Sequence, residues 1–389
     1  MRQRFYKRHT IFSIRIYNSI LRLECKEKVH FQKANKRKNF MKISVIICEF
    51  NPLHYGHKHI IDFAKTISDK VVCVMSGNFV QRGMPAVANK FKRATHAILA
   101  GADLVVELPC LAATSSAADF ALGGVQIANA FGANYLVFGS ECGEIAPLAN
   151  CAELLERKDV NDKIRLELQQ GVAYPKAVAK ALGTDVLDKP NNTLAVEYLR
   201  AIKHTASHIT PVTIAREDNF NGAAGQFASS TALRADATLR GKYTFDFVSK
   251  DIDDTVEKKY CEFATRFLST VDKNYLANVM GVTEGLHNRI FNAGKSQGYE
   301  HLLTELKTKR YTRLRLQRIL LNQVLNITKS DVITYKTQEV STKVLAVKSS
   351  TTTLLQDVSN ESDDITERAD RLYYSLSGKK PPNKLIKID

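Results

Sequence analysis

The chain has 389 residues, 44% hydrophobic and 25% charged, enough for two domains of ordinary globular composition. No apolar run approaches the roughly eighteen residues needed to cross a bilayer, so the sequence predicts no membrane-spanning helix. The formal net charge of +16 favours a polyanionic partner, but residues 1–40 hold 12 Lys/Arg against 2 Glu, so the remaining chain carries only +6.

Residues 1–40 mix basic residues with Ile11, Phe12, Ile14 and Ile16, and Arg15 and Arg22 interrupt what a signal peptide needs as an unbroken apolar stretch. They are expected as a basic N-terminal extension, either an upstream start or an arm touching nucleic acid. From Met41 short Val/Ile/Leu-rich runs alternate with helical periodicity. Strands are expected over 42–48, 70–75, 103–107 and 134–139, and helices over 57–67, 89–100 and 115–131. That alternation predicts an α/β fold of β-α-β units on a parallel sheet, with all strand C-termini on one ligand-binding edge. Residues 145–205 read as helices and Thr210–Ala215 as a last strand, followed by a loop over 219–226. After about 240 the pattern is helical and charged. We therefore expect an ATP-binding domain over 41–240 and a mainly helical domain over 241–389, with a strand at 343–347 in an otherwise unassigned tail.

The most informative stretch is 45–60, VIICEFNPLHYGHKHI: a buried strand, a turn at Asn51-Pro52, then His54-Tyr55-Gly56-His57 opening a helix. A strand feeding a helix N-terminus collects backbone N–H groups and the positive end of the helix dipole, which suits phosphate. His54 and His57 share one face of the first turn, and Gly56 leaves room for a ligand. Such a site can stabilise charge at phosphorus during transfer. Gly139, ending another strand at the same edge, would permit close approach of adenine. Arg82, with Lys90 and Arg93, faces triphosphate or RNA, or is a solvated basic loop. Lys307, Lys309, Arg310 and Arg313 begin an amphipathic helical segment and are candidates for an RNA backbone, or a solvated helix face. Seven scattered cysteines without C-x-x-C spacing point to reduced thiols, a cytoplasmic location and no protein-held metal site.

HYGH matches the H-x-G-H motif of the nucleotidyltransferase superfamily. With VMSGNFVQRGMPAVANKFKRATHAIL, GADLVVELP, FGSE, KPNNTLAVEYLRAI and KTKRYTRLRLQRILL following in order, the chain from about Met41 to Thr328 resembles the bacterial tRNA(Met) cytidine acetate ligases. The resemblance implies a Rossmann-like (HUP-type) nucleotidyltransferase sheet with a second, helical domain. It implies ATP contacts along the block Ile47, Cys48, Glu49, Phe50, Asn51, Pro52, Leu53, His54, Tyr55, Gly56, His57, Lys58, His59 and Ile60. To these it adds Arg216 and one of Asn191 and Asn192. Ser229-Ser230-Thr231 with Arg234 resembles the I-S-S-T-x-x-R phosphate motif, with Phe227-Ala228 ahead of it, so Ser230, Thr231 and Arg234 join the set. The implied activity is activation of acetate by ATP as acetyl-adenylate, with Mg²⁺ on the triphosphate, and acetylation of N4 of the wobble cytidine in elongator tRNA(Met). Two alternatives remain open on the residues alone: a nucleotidyltransferase moving AMP or CMP to a small phosphate or alcohol, and a non-catalytic tRNA-binding protein.

Overall fold

Ile43–Cys48 (ISVIIC) is buried at all six positions, the mark of a strand covered on both faces of a parallel sheet. The computed structural model describes residues 41–216, 227–283, 285–294, 298–338, 341–357, 361–382 and 385–389. The basic extension and the loop expected at 219–226 lie outside the described residues.

In chain order the elements are β1 (Ile43–Cys48), α1 (Tyr55–Ile67), β2 (Lys70–Ser76), β3 (Phe79–Val80), β4 (Met84–Pro85), α2 (Lys90–Leu99), β5 (Leu104–Leu108), α3 (Cys110–Ala113), α4 (Ala117–Ala130), β6 (Tyr135–Ser140), α5 (Ile145–Glu156), α6 (Lys158–Gln169), α7 (Tyr174–Leu182), α8 (Pro190–His204) and β7 (Thr210–Ala215). After the undescribed loop come α9 (Ser230–Ala235), α10 (Arg240–Tyr243), α11 (Asp246–Ser249), α12 (Thr255–Thr270), α13 (Lys273–Asn278), α14 (Leu286–Ala293), α15 (Tyr299–Leu306), α16 (Arg313–Val324), α17 (Lys329–Thr337), β8 (Val344–Lys348), α18 (Asp364–Ser377) and β9 (Ile386–Ile388). The helix expected over 115–131 forms as α4, with the separate four-residue α3 just ahead of it. The Ser116 hydroxyl accepts from Asp119 N–H and starts α4 afresh, as a serine N-cap does.

The sheet order is β7-β6-β1-β2-β5-β8-β9. β1, β2, β5, β6 and β7 pair in parallel, β8 runs antiparallel to β5, and β9 pairs in parallel with β8. The chain builds outward from β1 through β2 and β5, then returns to β1's other side with β6 and β7. The strand order therefore reverses between β1 and β6, and the crevice beyond their C-terminal ends is where such sheets bind ligands.

Residues 42–389 form one compact unit. The helices after 240, expected as a separate domain, share its core: Val256, Tyr260, Leu302 and Leu320 cluster with Ile46, Met75 and Val105 of the strands. The tail left without an assignment supplies β8 and β9. Its apolar run VLAVK is short and sits far along the chain from β5, so its partner becomes visible only in the folded molecule.

Candidate active site

The turn after β1 is held from three sides. The Asn51 side-chain oxygen accepts the Val87 N–H at 2.9 Å, the Asn51 carbonyl accepts Arg234 Nη1 at 2.6 Å, and the Pro52 carbonyl accepts the Ser230 hydroxyl at 3.1 Å. Arg234 Nη2 also donates to Thr231 Oγ1 at 3.0 Å. Burial, and then the neighbouring Arg82, lower the Arg234 pKa to about 10, which leaves it charged at neutral pH. The segment expected as a phosphate motif thus docks directly on the HYGH turn from far along the chain, with Ser229 capping α9.

His54 and His57 cap α1 reciprocally. Gly56 N–H donates to His54 Nδ1 at 3.1 Å and His54 N–H donates to His57 Nδ1 at 3.3 Å, and the two rings stack with centroids 3.7 Å apart. Both Nδ1 atoms accept, so in the neutral rings both protons sit on Nε2. Burial above all, and then the positive Arg216, lower the His54 pKa to about 3; burial, His54 and Arg216 push His57 well below the usual histidine range. The pair is neutral at physiological pH. His54 Nε2 is buried and has no hydrogen-bond partner among the described residues. A buried N–H without an acceptor costs about 1–3 kcal/mol, so it marks a place built for one.

That donor belongs to a cleft lined by His54, Gly56, His57, His59, Ile60, Ile214, Ala215, Arg216 and Phe227. An added Cβ at Gly56 would stand 3.0 Å from the His54 ring and 3.6 Å from Phe227, so glycine keeps the cleft open. Of the block 47–60, Cys48, Phe50 and Leu53 are core residues, and the Ile47 side chain fills the space that Gly124 leaves. They support the turn by packing and do not line the cleft. Glu49 accepts the Gln81 N–H at 2.8 Å, Tyr55 packs edge-on against Phe245, and Lys58 pairs with Asp62 on the surface.

A Cβ at Gly139 would stand 2.8 Å from Cγ of Arg216, so the glycine makes room for that arginine's stem. Arg216 Nη1 donates to Asn191 Oδ1 at 3.1 Å. Asn192 is buried, its Oδ1 accepting the N–H groups of Glu141 and Cys142, and it therefore holds the loop after β6. Of the two asparagines, Asn191 is the one that meets Arg216. Glu141 organises both: its carboxylate accepts the N–H of Asn191 (3.2 Å) and Asn192 (2.8 Å) at the start of α8, and Asn191 Nδ2 at 2.7 Å. Because Nδ2 faces Glu141, Oδ1 must face Arg216. Sequence reasoning passed over Glu141, Ile214, Ala215 and Phe227. The position of Glu141 just after an edge-facing strand was the available signal, and Phe227 stood two residues ahead of Ser229-Ser230-Thr231, beside the Ala228 that replaces the motif's isoleucine.

The basic candidates divide. Lys90 is fully buried between Glu107 and Asp370, and the fully buried Arg93 donates to the carbonyls of Glu49, Ser76, Gly77 and Ala88. Neither faces a ligand: both are buried at the start of α2, the helix expected over 89–100. Arg82 is committed to Glu257 on α12 and to the Pro85 carbonyl. Arg313 makes a two-pronged pair with Glu300, whereas the Lys307 and Lys309 side chains are exposed.

Residues 41–373 match the family described as HIGH Nucleotidyl Transferase. The tRNA(Met) cytidine acetate ligase of Acetivibrio thermocellus is 36% identical over 327 residues, covering 75% of this chain and 79% of the relative. That of Caldicellulosiruptor saccharolyticus is 39% identical over 306 residues, covering 72% and 76%. Among solved structures, Thermotoga maritima TmcAL in its apo form aligns with a TM-score of 0.74 at 27% identity, covering 87% of this chain and 89% of that one. The same protein bound with alpha-thio ATP aligns with a TM-score of 0.71 at 27% identity, covering 90% and 85%.

Proposed function

We propose, from the premise that this chain belongs to the HIGH nucleotidyl transferases and within them to the tRNA(Met) cytidine acetate ligase family, that it is an ATP-dependent ligase that acetylates a cytidine of tRNA(Met). The observation that carries the reading is the neutral, stacked His54/His57 pair with a buried, unpartnered Nε2–H in a cleft bordered by Arg216. Neutral donors and one fixed cation suit a phosphate chain whose charge shifts during reaction, because they hold it without becoming acids themselves. In the proposed first step an acetate oxygen attacks the α-phosphorus of ATP and pyrophosphate leaves, with the histidine N–H groups and Arg216 receiving the charge that builds on the equatorial oxygens. In the second, N4 of the wobble cytidine of the elongator tRNA attacks the acetyl carbon, AMP leaves with the bonding pair, and N4 loses a proton. Acetate needs that activation, since its own oxygen is no leaving group for an amine.

We place ATP's phosphates at His54, His57, Ser230 and Thr231, and its remaining contacts at Arg216, Asn191 and Phe227. Among the described residues no group of three or more His, Cys, Asp or Glu side chains could hold a metal ion. The protein therefore offers Mg²⁺ no cage of its own there, and a Mg²⁺ accompanying ATP would ride on phosphate oxygens and water. No described helix is long and apolar enough to cross a membrane. With six described cysteines all free, we place the protein in the cytoplasm beside its tRNA.

The test is incubation with ATP, labelled acetate and bulk tRNA. Label in tRNA(Met) is the expected result; ATP turnover onto a small acceptor with unlabelled tRNA would overturn the reading in favour of a simple nucleotidyltransferase. Glu141→Gln probes the support of the site. An amide at that position points a donor at N–H groups, so Asn191 loses its orientation and Arg216 its acceptor. Adenylate formation should fall in kcat/KM for ATP by about tenfold, the scale of one charge-assisted hydrogen bond, with the effect mainly in KM. Equal kinetic constants in variant and wild type would show that Arg216 does not depend on this network.

Replacing Lys307, Lys309 and Arg310 together with glutamine should leave acetate-dependent pyrophosphate release intact and weaken tRNA binding. For every phosphate that these side chains neutralise in the wild type, the log-log salt slope should become shallower by roughly 0.9. If affinity and slope both stay at wild-type values, these cations are a solvated face.

A further inference from the structure

Besides the cleft at His54 and His57, the surface carries a second one. One wall is Leu168, Val172 and Tyr174, from the end of α6 through the start of α7; the other is Thr283, Arg310 and Arg315, the last on α16. Its volume of about 380 Å³ falls in the range of clefts that take a small ligand, about 300–1,000 Å³. The first wall is apolar and open: Tyr174 is 52% exposed, and Leu168 and Val172 are half-buried beside it. Large apolar side chains left in water beside a concavity mark a contact surface. The second wall is cationic and ordered. Arg315 lies over the Tyr311 ring at 4.7 Å, and the Tyr311 hydroxyl is anchored to Thr283 at 3.1 Å, so the guanidinium plane is set before any ligand arrives. Among the described residues no carboxylate lines the cleft.

The cleft is tied to the candidate active site. One turn beyond Arg315 on α16, Arg318 Nη1 donates to the Gln81 carbonyl at 3.4 Å, and Gln81 N–H donates to Glu49 at the end of β1. An apolar face with an exposed tyrosine ring opposite an oriented guanidinium fits a planar aromatic group that carries an anion, and this combination is how single-stranded RNA is held: the base stacks and the phosphate meets arginine. We infer that this cleft holds one unstacked nucleobase of the tRNA against Tyr174, with its phosphate at Arg310 and Arg315. The inference rests on the tRNA reading above. The reacting N4 must reach the adenylate in the His54/His57 cleft, so the nucleotide held here is a different one from the acetylated cytidine, and holding it sets which cytidine is presented.

The chain contains no tryptophan, so Tyr174→Trp introduces a single indole at the cleft. Titrating that variant with an unmodified anticodon-arm RNA of tRNA(Met) should quench its fluorescence, as base stacking does. Tyr174→Ala should raise KM for tRNA in acetylation roughly tenfold, the scale of one base–aromatic stack, while acetyl-adenylate forms at the wild-type rate. Tyr174→Phe, which keeps the stacking face, should restore the KM. Quenching by free CMP or AMP to the same extent as by RNA would overturn the inference in favour of a small-nucleotide site. An unchanged KM in Tyr174→Ala would overturn it too, and would leave the ligase reading standing. A wild type that makes acetyl-adenylate yet never labels tRNA defeats the ligase reading, and the inference falls with it.

Discussion

Alanine at His57, or at His54, should lower acetate-dependent ATP–pyrophosphate exchange by about 100-fold or more, the loss that follows removal of one donor aimed at a developing oxyanion. Each ring supplies a single Nε2–H, because its Nδ1 is occupied by a backbone N–H in the reciprocal cap. Circular dichroism should show the fold retained, since Gly56 lines the cleft and water there can replace the missing cap. Exchange at the wild-type rate in either variant would remove the histidines from the mechanism.

A pH measurement tests the same assignment independently. The folded-state pKa of His54, about 3, lies below the unfolded value near 6.5, so the unfolded chain binds more protons between these limits. Stability contributed by the neutral ring is full above pH 6.5 and is lost as pH falls toward 3. Between pH 6.5 and 4.5 the difference in unfolding free energy between wild type and His54→Ala should shrink by roughly 2–3 kcal/mol. Urea titrations at the two pH values measure it, and parallel pH profiles for the two proteins would mean that His54 titrates normally.

Lys90→Met should be the most damaging single substitution for stability, with a loss of about 3–5 kcal/mol out of a typical total of about 5–15. The Lys90 ammonium lies 2.7 and 2.6 Å from the two oxygens of Glu107 on β5 and 2.5 Å from Asp370 on α18, at zero exposure. Asn78 joins the same knot, its Nδ2 donating to Asp370 and its Oδ1 accepting Lys90 N–H. Burial already pushes the Glu107 carboxyl up to about 7 with the ammonium in place. Without it two acids face each other with no cation between them, Glu107 keeps a proton at neutral pH, and the folded state binds more protons than the unfolded one above pH 4.5. The variant should therefore gain stability on acidification from pH 7 toward 5, and Lys90→Met with Glu107→Gln should recover part of the loss. A urea midpoint equal to wild type in Lys90→Met would show that the knot contributes nothing net.

The local devices of this protein are written in its sequence. The Val/Ile/Leu-rich runs at 43–48, 70–76 and 104–108 become parallel strands because both faces are covered, and HYGH opens a helix because its two imidazoles cap their own turn. Ser229-Ser230-Thr231 likewise starts a helix, and the family resemblance rests on such contiguous blocks. Those features need neighbours at most a few residues away.

What the tertiary structure decided are pairings between distant residues. It set Lys90 and Arg93 inside the molecule, since the acids and carbonyls that neutralise them come from β5, α18 and the ends of β1 and β2. It turned Asn191 toward Arg216 and Asn192 toward the loop after β6, a choice that two adjacent identical letters cannot carry and that Glu141 makes through three hydrogen bonds. It returned β8 and β9 to a sheet begun at the other end of the compact unit, and it brought Tyr174 opposite Arg315. A charged or polar side chain reads as solvated until its partner is known, because burial is favourable only once that partner is in place.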